Sequence, residues 1–214
     1  MAKSKTVFST AYFPSVAMMA AMMQYAQDGH ILIEQMETFP KQTHRNRTII
    51  ITANGAMLLS VPVVRTNGNH TFTKDIAISY TERWNLIHWR AIESAYNASP
   101  FFLYYRDDVE KIIMQRYKRL LDLNRTILTF LAKKLKKEWD ISYTIDYQRS
   151  ENYLVDFRDR YSYKHPETLP TLEKYHQVFE DRMPFNPNVS ILDLLFNKGP
   201  ETATYLLRQI IEIQ

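Results

Sequence analysis

The chain contains no cysteine. That absence removes disulfides, thiolate zinc sites and a cysteine nucleophile together. Glycine is nearly as scarce, at four in 214 residues. So few glycines do not build a phosphate-cradling loop, and neither a Walker pattern nor a dinucleotide fingerprint occurs. Long apolar runs are missing too. Residues 16–23 form one such stretch, but Gln24 ends it far short of the ~20 residues that span a bilayer. The opening stretch, Met1 to Thr10, has no apolar core of the signal-peptide kind. The chain is therefore expected to be cytoplasmic and not inserted in a membrane. Charge of one sign is modest as well. Lys and Arg number 27 against 23 Asp and Glu, a net charge of +4. The pI is about 9.1. Acids interspersed among the bases argue against a nucleic-acid partner and leave an anionic small molecule as the expected ligand.

What is present suits a globular protein. The apolar fraction is 45%, and no repeat or low-complexity segment breaks the chain. A chain this long buries roughly 70% of its unfolded surface. We read residues 1–214 as a single α/β domain, a mixed sheet with flanking helices.

Residues 7–10 read as a short buried strand, followed by a turn at Tyr12-Phe13-Pro14. Pro14 is compatible with a helix start. Residues 16–26 then carry Met18, Met19, Met22, Met23 and Ala26 at the spacing of one helix face. Further strands are expected at 30–34, 48–52, 57–63, 75–80 and 142–147. Asn54-Gly55 suggests a two-residue hairpin turn between the second and third of these. Thr81 is the expected N-cap of a helix to about residue 98. Residues 107–137 carry an apolar stripe from Val109 to Leu135, which predicts one long amphipathic helix with lysines on its outer face. From 150 to 187 aromatics, charges and prolines interleave, which predicts ordered loops and short helices, a candidate lid. Ser190 with Asp193 has the spacing of a capping box, and a last helix is expected over 201–210.

The chemistry-bearing residues are few. Lys41, His44, Arg45, Asn46 and Arg47 form the densest basic and polar cluster, between a strand and the hairpin. Arginine forks suit phosphate or carboxylate, and the structural alternative is a solvated loop. His88 lies one turn after Trp84 on a mostly apolar helix. It reads either as a satisfied core histidine or as a general base in a cleft. Asn124 interrupts the apolar stripe, either as a structural tie or as part of a pocket wall. Tyr12 follows the first strand, where open parallel sheets bind ligands. The methionines of 16–26 read as core filler. His165 and His176 have a poor ligand spacing, so no metal site is expected. Aromatics and bases alternate over 153–164, but Asp156 and Asp159 dilute any RNA-binding character. Nothing in the sequence identifies a cofactor or an oligomeric state.

Taken in order, several blocks resemble the WbqC-like family. They are Thr10-Ala-Tyr-Phe-Pro14, Lys41-Gln-Thr-His-Arg-Asn-Arg47, Trp84 with His88 and Trp89, Tyr96 with Ser99-Pro100-Phe101, Asn124, Tyr175 with Gln177-Val-Phe179, and the segment around Ser190-Ile-Leu-Asp-Leu-Leu-Phe-Asn197. Where family members open with Gln-Pro-Tyr, this chain has Thr10-Ala11-Tyr12. The resemblance implies a bacterial protein of surface-polysaccharide (O-antigen-like) biosynthesis, and it carries no settled reaction with it. The opening strand, turn and helix also look like nucleotidylyltransferases. Their His-x-Gly-His pattern is absent after Pro14, so adenylyl transfer is not inferred.

Two functions follow as expectations. One is a group transferase acting on a nucleotide-activated sugar. Here Arg45 and Arg47 hold phosphate, His88 accepts a proton, Tyr12 and Asn46 orient the sugar, and Lys41, His44, Trp84 and Asn124 line the site. The other is a non-catalytic binding or assembly protein for polysaccharide enzymes.

Overall fold

A computed structural model of the chain describes residues 5–26, 28–161 and 169–211. Its centre is a four-stranded parallel sheet. Strand β1 (Thr6–Ser9) lies between β2 (His30–Glu34) and β8 (Val155–Asp156), and β7 (Asp140–Tyr143) pairs with the far side of β2. Val7 pairs with Leu32, Thr6 with Val155, and Leu32 with Ser142. Every residue of β1 is buried, as expected for a parallel strand covered on both faces. The chain builds outward from β1 to β7, then returns to the other side of β1 as β8. In a sheet wound this way the ligand crevice opens at the carboxyl ends of the two strands flanking the reversal, here β1 and β8.

Helix α1 (Val16–Tyr25) begins where Ser15 caps it, its hydroxyl accepting from the Met18 N–H at 3.3 Å. The spacing suggested one apolar face. In fact all residues from Val16 to Met23 are buried, and α1 packs against α5 (Ile191–Lys198) and α6 (Thr202–Arg208). A helix apolar all round belongs in the interior. Each methionine sealed there contributes about 1.5–3 kcal/mol of transfer free energy.

The hairpin forms from β3 (Arg47–Thr52) and β4 (Gly55–Ser60), with Thr52 opposite Gly55. The turn residues are therefore Ala53 and Asn54, one position earlier than expected. Gly55 follows at φ 106°, a backbone state that glycine supplies without a Cβ clash. Strands β5 (Val63–Val64) and β6 (Ala77–Ile78) form a small second pair, so the strand expected over 75–80 shrinks to two residues. Helix α2 (Trp84–Tyr96) starts after Arg83. The expected cap, Thr81, pairs instead with the Ser79 hydroxyl at 2.9 Å.

The single long helix is divided in two, α3 (Phe102–Met114) and α4 (Leu120–Lys134). At Gln115 the backbone turns extended, ψ 140°. The intervening segment pairs with the β6 region. Ile78 donates to the Lys118 carbonyl at 3.2 Å, and Leu120 donates to the Ile76 carbonyl at 3.0 Å. The Tyr117 N–H donates to the Tyr80 hydroxyl at 2.9 Å. Neither proline nor glycine marks the break. Tertiary pairing overrides a favourable helical pattern.

The segment expected to be loops and short helices contributes strand β8 to the central sheet. Its residues 162–168 lie outside the described residues, and so does His165. Ser190 caps α5 by accepting from the Leu192 N–H at 3.3 Å, but Asp193 does not close a capping box, because its carboxylate points into the core. A short 3-10 turn, Gly199–Glu201, leads into α6, which is shorter than the helix expected over 201–210. Among the described residues no helix is long and apolar enough to cross a membrane.

Candidate functional site

The carboxyl ends of the parallel strands carry an unusual density of polar side chains. Strand β1 ends at Ser9 and β2 at Glu34, while Asp156 ends β8. All three are at least partly buried, and Ser9 and Glu34 are fully so. The loop 41–46 folds over this edge. It is not a solvated loop, because Thr43, His44, Arg45 and Asn46 are all buried. Tyr12 N–H donates to the His44 carbonyl at 3.0 Å, which fixes the loop to the end of β1.

Two ion-paired groups organise this edge. Arg45 is completely buried. Its Nε and Nη2 donate to the two oxygens of Glu37 at 2.5 and 2.7 Å, and Nη2 also reaches Asp159 at 3.3 Å. Thr73 donates to Glu37 as well, at 3.3 Å. Burial raises the Glu37 carboxyl above its ordinary value, against the opposing pull of Arg45. In the second group Arg158 donates to Glu34 at 2.9 Å and to Asp156 at 2.6 Å. Thr144, just past β7, donates to the other Glu34 oxygen at 2.7 Å. Burial works against the charge of Asp156, but the contacts with Arg158 prevail and hold its carboxyl below the usual range. All four strand ends thus contribute to one polar layer.

His44 sits inside it. Its Nε2 lies 2.6 Å from the Ser9 hydroxyl. Burial and the neighbouring Arg45 push its pKa down to about 3, so the ring is neutral. Asn124 crosses from α4, its amide N–H donating to the Arg45 carbonyl at 2.8 Å and to the Thr10 hydroxyl at 3.0 Å. It is a tie between helix and loop, as one sequence reading has it, and it also lines a small cavity with Ser9, Thr10, Arg125 and Tyr143. That cavity, about 10 Å³, has room for about one water. Hydrogen-bonding capacity is left over on Asn124 and on the 41–46 loop that it ties down. His44 Nδ1, Arg45 Nη1, Asn124 Oδ1 and Thr43 Oγ1 are buried with no partner among the described residues. Buried polar atoms are nearly always satisfied, so these four, among twelve such atoms in the described residues, leave bonding capacity at this edge of the sheet.

His88, Tyr12 and Trp84 form a second, adjoining group. The Tyr12 hydroxyl lies 2.9 Å from His88 Nδ1, and the Trp84 ring packs edge-on against both. His88 also contacts the backbone of Ser60. Burial still dominates and pushes its pKa down to about 4. Burial raises the Tyr12 phenol well above its usual value. Both groups are therefore neutral, and the hydrogen bonds of the His88 ring are internal. Asn46 faces the hairpin instead, its amide donating to the Val61 carbonyl at 2.9 Å. Arg47 opens β3, half-buried, and Lys41 is exposed on the rim.

Sequence reasoning missed Ser9, Glu34, Glu37, Asp156, Arg158 and Arg125. A usable signal existed for the acids. Glu34 ends an apolar strand and Glu37 lies three residues beyond it, and the ends of parallel strands are where open sheets place functional groups. Backbone strain marks the same edge. Phe13 (φ 39°), Gln42 (φ 58°) and Tyr161 (φ 62°) all adopt left-handed conformations on its loops, which bulky residues avoid unless held there.

A parallel, doubly wound sheet with a polar layer across its strand ends defines an α/β protein of the open-sheet kind. The WbqC-like protein family model matches residues 10–165, and the chain belongs to that family. The chain is also 27% identical, over 84% of its length and 87% of the relative's, to the uncharacterized protein Rv1507c of Mycobacterium tuberculosis. No solved structure matches the chain.

Proposed function

We propose that this protein is a group transferase acting on an activated sugar in bacterial surface-polysaccharide synthesis, with its site at the carboxyl edge of the sheet. One observation carries the reading: the four buried, unpartnered polar atoms around the Ser9–His44 pair, at the position where this sheet order opens its crevice. A hydroxyl or amine of the sugar supplies the donor that Asn124 Oδ1 lacks. His44, held by Ser9, takes the proton from that attacking group. Burial and Arg45 set its low pKa, and an anion beside the ring raises the value toward the working range. His88 acts as a positioning residue, holding Tyr12 beneath the His44 loop. Arg45 acts through the loop it braces, since two of its nitrogens are committed to Glu37.

The test is thermal stability against a panel of nucleotide sugars, acyl-coenzyme A, ATP and aminoacyl donors. A ligand at about a hundred times its Kd adds roughly 2.7 kcal/mol. We expect one class to stabilise the protein and His44→Gln to abolish the shift in a still-folded chain. A shift unchanged by His44→Gln and Asn124→Ala sinks the proposed site. The assembly reading rests on a different feature, the exposure of Leu103 (78%) and Tyr104 (76%) in the first turn of α3. It predicts no small-molecule shift and association with a polysaccharide enzyme that Leu103→Ser and Tyr104→Ser together abolish.

A further inference from the structure

Two grooves flank the outer face of α4. The first, about 370 Å³, runs between α3 and α4 and is walled by Lys111, Arg125, Lys133 and Lys134 over a floor that includes Ile112 and Phe130. The second, about 470 Å³, lies beyond the end of α4, with Lys133, Lys136 and Lys137 around Trp139 and Ile141. They share Thr129 and Lys133. Each has the volume of a small-molecule site.

Their charge is the charge of the whole protein. Six cations face two acids, Asp108 and Glu138, in the two grooves. The net charge of the chain is +4, so all remaining charges cancel. Lys134 is paired with Asp108 at 2.6 Å. Lys111, Arg125, Lys133, Lys136 and Lys137 take part in no salt bridge among the described residues. Lysines in a last helical turn stabilise the helix dipole, which explains Lys133 and Lys134. The same holds for Lys111 in the last turn of α3, but not for Arg125, which lies in the middle of α4.

Arg125 supplies the connection. It lines the first groove and also the small cavity with Ser9, Thr10 and Asn124. Arg125 therefore stands between the cationic groove and the cavity lined by Asn124, whose Oδ1 is buried and unpartnered among the described residues. We infer that the α4 grooves bind the diphosphate of a soluble nucleotide-linked ligand. The phosphates rest on Lys111, Arg125 and Lys133, and the planar base lies against Trp139. The group to be modified then points past Arg125 toward Asn124 and His44. The inference rests on the carboxyl-edge site proposed above and adds where the ligand is held.

The experiment is calorimetric titration of the full chain with inorganic pyrophosphate and with uridine diphosphate, at low and at physiological salt. Binding of both is expected, weaker at higher salt because the cations are exposed. Lys133→Ala and Lys111→Ala should each weaken both probes by roughly tenfold, the range of one charged hydrogen bond. Trp139→Ala should weaken only the nucleotide. Lys174→Ala, an exposed cation outside the grooves, should change neither, which separates a site from general attraction. Circular dichroism checks that each variant is folded. Affinity unchanged in Lys111→Ala and Lys133→Ala overturns the inference. So does binding confined to anionic lipid vesicles or to RNA, with neither diphosphate probe bound. If a nucleotide sugar stabilises the protein in a way that needs His44 but not Lys133, the groove inference fails and the carboxyl-edge reading stands. If no diphosphate-bearing probe binds and no nucleotide sugar stabilises the chain, both fall.

Discussion

Two buried polar clusters among the described residues are finished to different degrees. Around Asp193 the carboxylate's own bonds all close, although Oδ1 of the adjoining Asn197 has no partner among the described residues. One carboxylate oxygen accepts from Tyr175 at 2.7 Å and from Gln177 at 3.1 Å, and the other accepts from Tyr96 at 3.0 Å. The Tyr96 hydroxyl in turn accepts from the Ile51 N–H at 3.2 Å. A carboxylate, two phenols and an amide thereby fasten α5 to α2, to β3 and to the segment before it. Around His44 and Arg45 the ion pairs close, but the ring nitrogen, one guanidinium nitrogen and the Asn124 oxygen do not. A cluster built for stability satisfies its own members, whereas one built around a guest keeps bonds in reserve.

That contrast can be broken at several points. The largest effect is expected at Arg45. Arg45→Ala leaves Glu37 buried without its counter-charge and should cost about 3–5 kcal/mol in urea unfolding. The double variant Arg45→Met/Glu37→Leu should recover most of that stability while abolishing ligand-induced stabilisation. A double variant that remains as unstable as the single one would place the pair on the stability side of the comparison. Asp193→Ala strands three donors and should cost about 3 kcal/mol, with ligand binding retained under conditions where the chain is folded.

Acid should act mainly through the histidines. His44 and His88 have folded pKa values pushed down to about 3 and about 4, below the ~6.5 of an unfolded chain. The unfolded state therefore takes up protons first as pH falls. The stability these neutral rings allow is complete above about pH 6.5 and declines below it, by roughly 2–3 kcal/mol for each histidine by pH 4.5. Unfolding measured at pH 7 and pH 5 should show the decline, and His44→Gln and His88→Gln should each flatten it. The smallest effect is expected at Gly199, which ends α5 at φ 53°. A Cβ there would stand 2.5 Å from the Phe101 ring. Gly199→Ala should cost about 1–3 kcal/mol, read as a lower thermal midpoint, without altering the pH profile.

Periodicity made much of this fold legible. The apolar run of β2, the β3–β4 hairpin and the existence of α1 are all visible in the order of residues, because each arises within one element; the burial of α1 on every side is not, because it depends on α5 and α6. What could not be read depends on partners far along the chain. Glu34 and Arg158 are 124 residues apart, and no local pattern announces their meeting. Asp193 sits at a capping-box spacing, so its real work, at Tyr96 and Tyr175, was hidden by a plausible local one. The basic loop 41–47 stands out by its composition, but its charge suggests an external anion where the structure supplies Glu37 to Arg45. His88 stood out for its chemistry, and His44, three residues before Arg47, carries the more open bonding position.

The break between α3 and α4 has a consequence for charge. In one unbroken helix, 22 residues at 1.5 Å apiece would set Lys111 and Lys133 about 33 Å apart, several screening lengths in physiological salt. Each would then act alone. Because residues 115–119 leave the helix to pair beside β6, the rod doubles back and both lysines line the same groove. Five residues spent on a bend turn a diluted row of positive charge into a focused one.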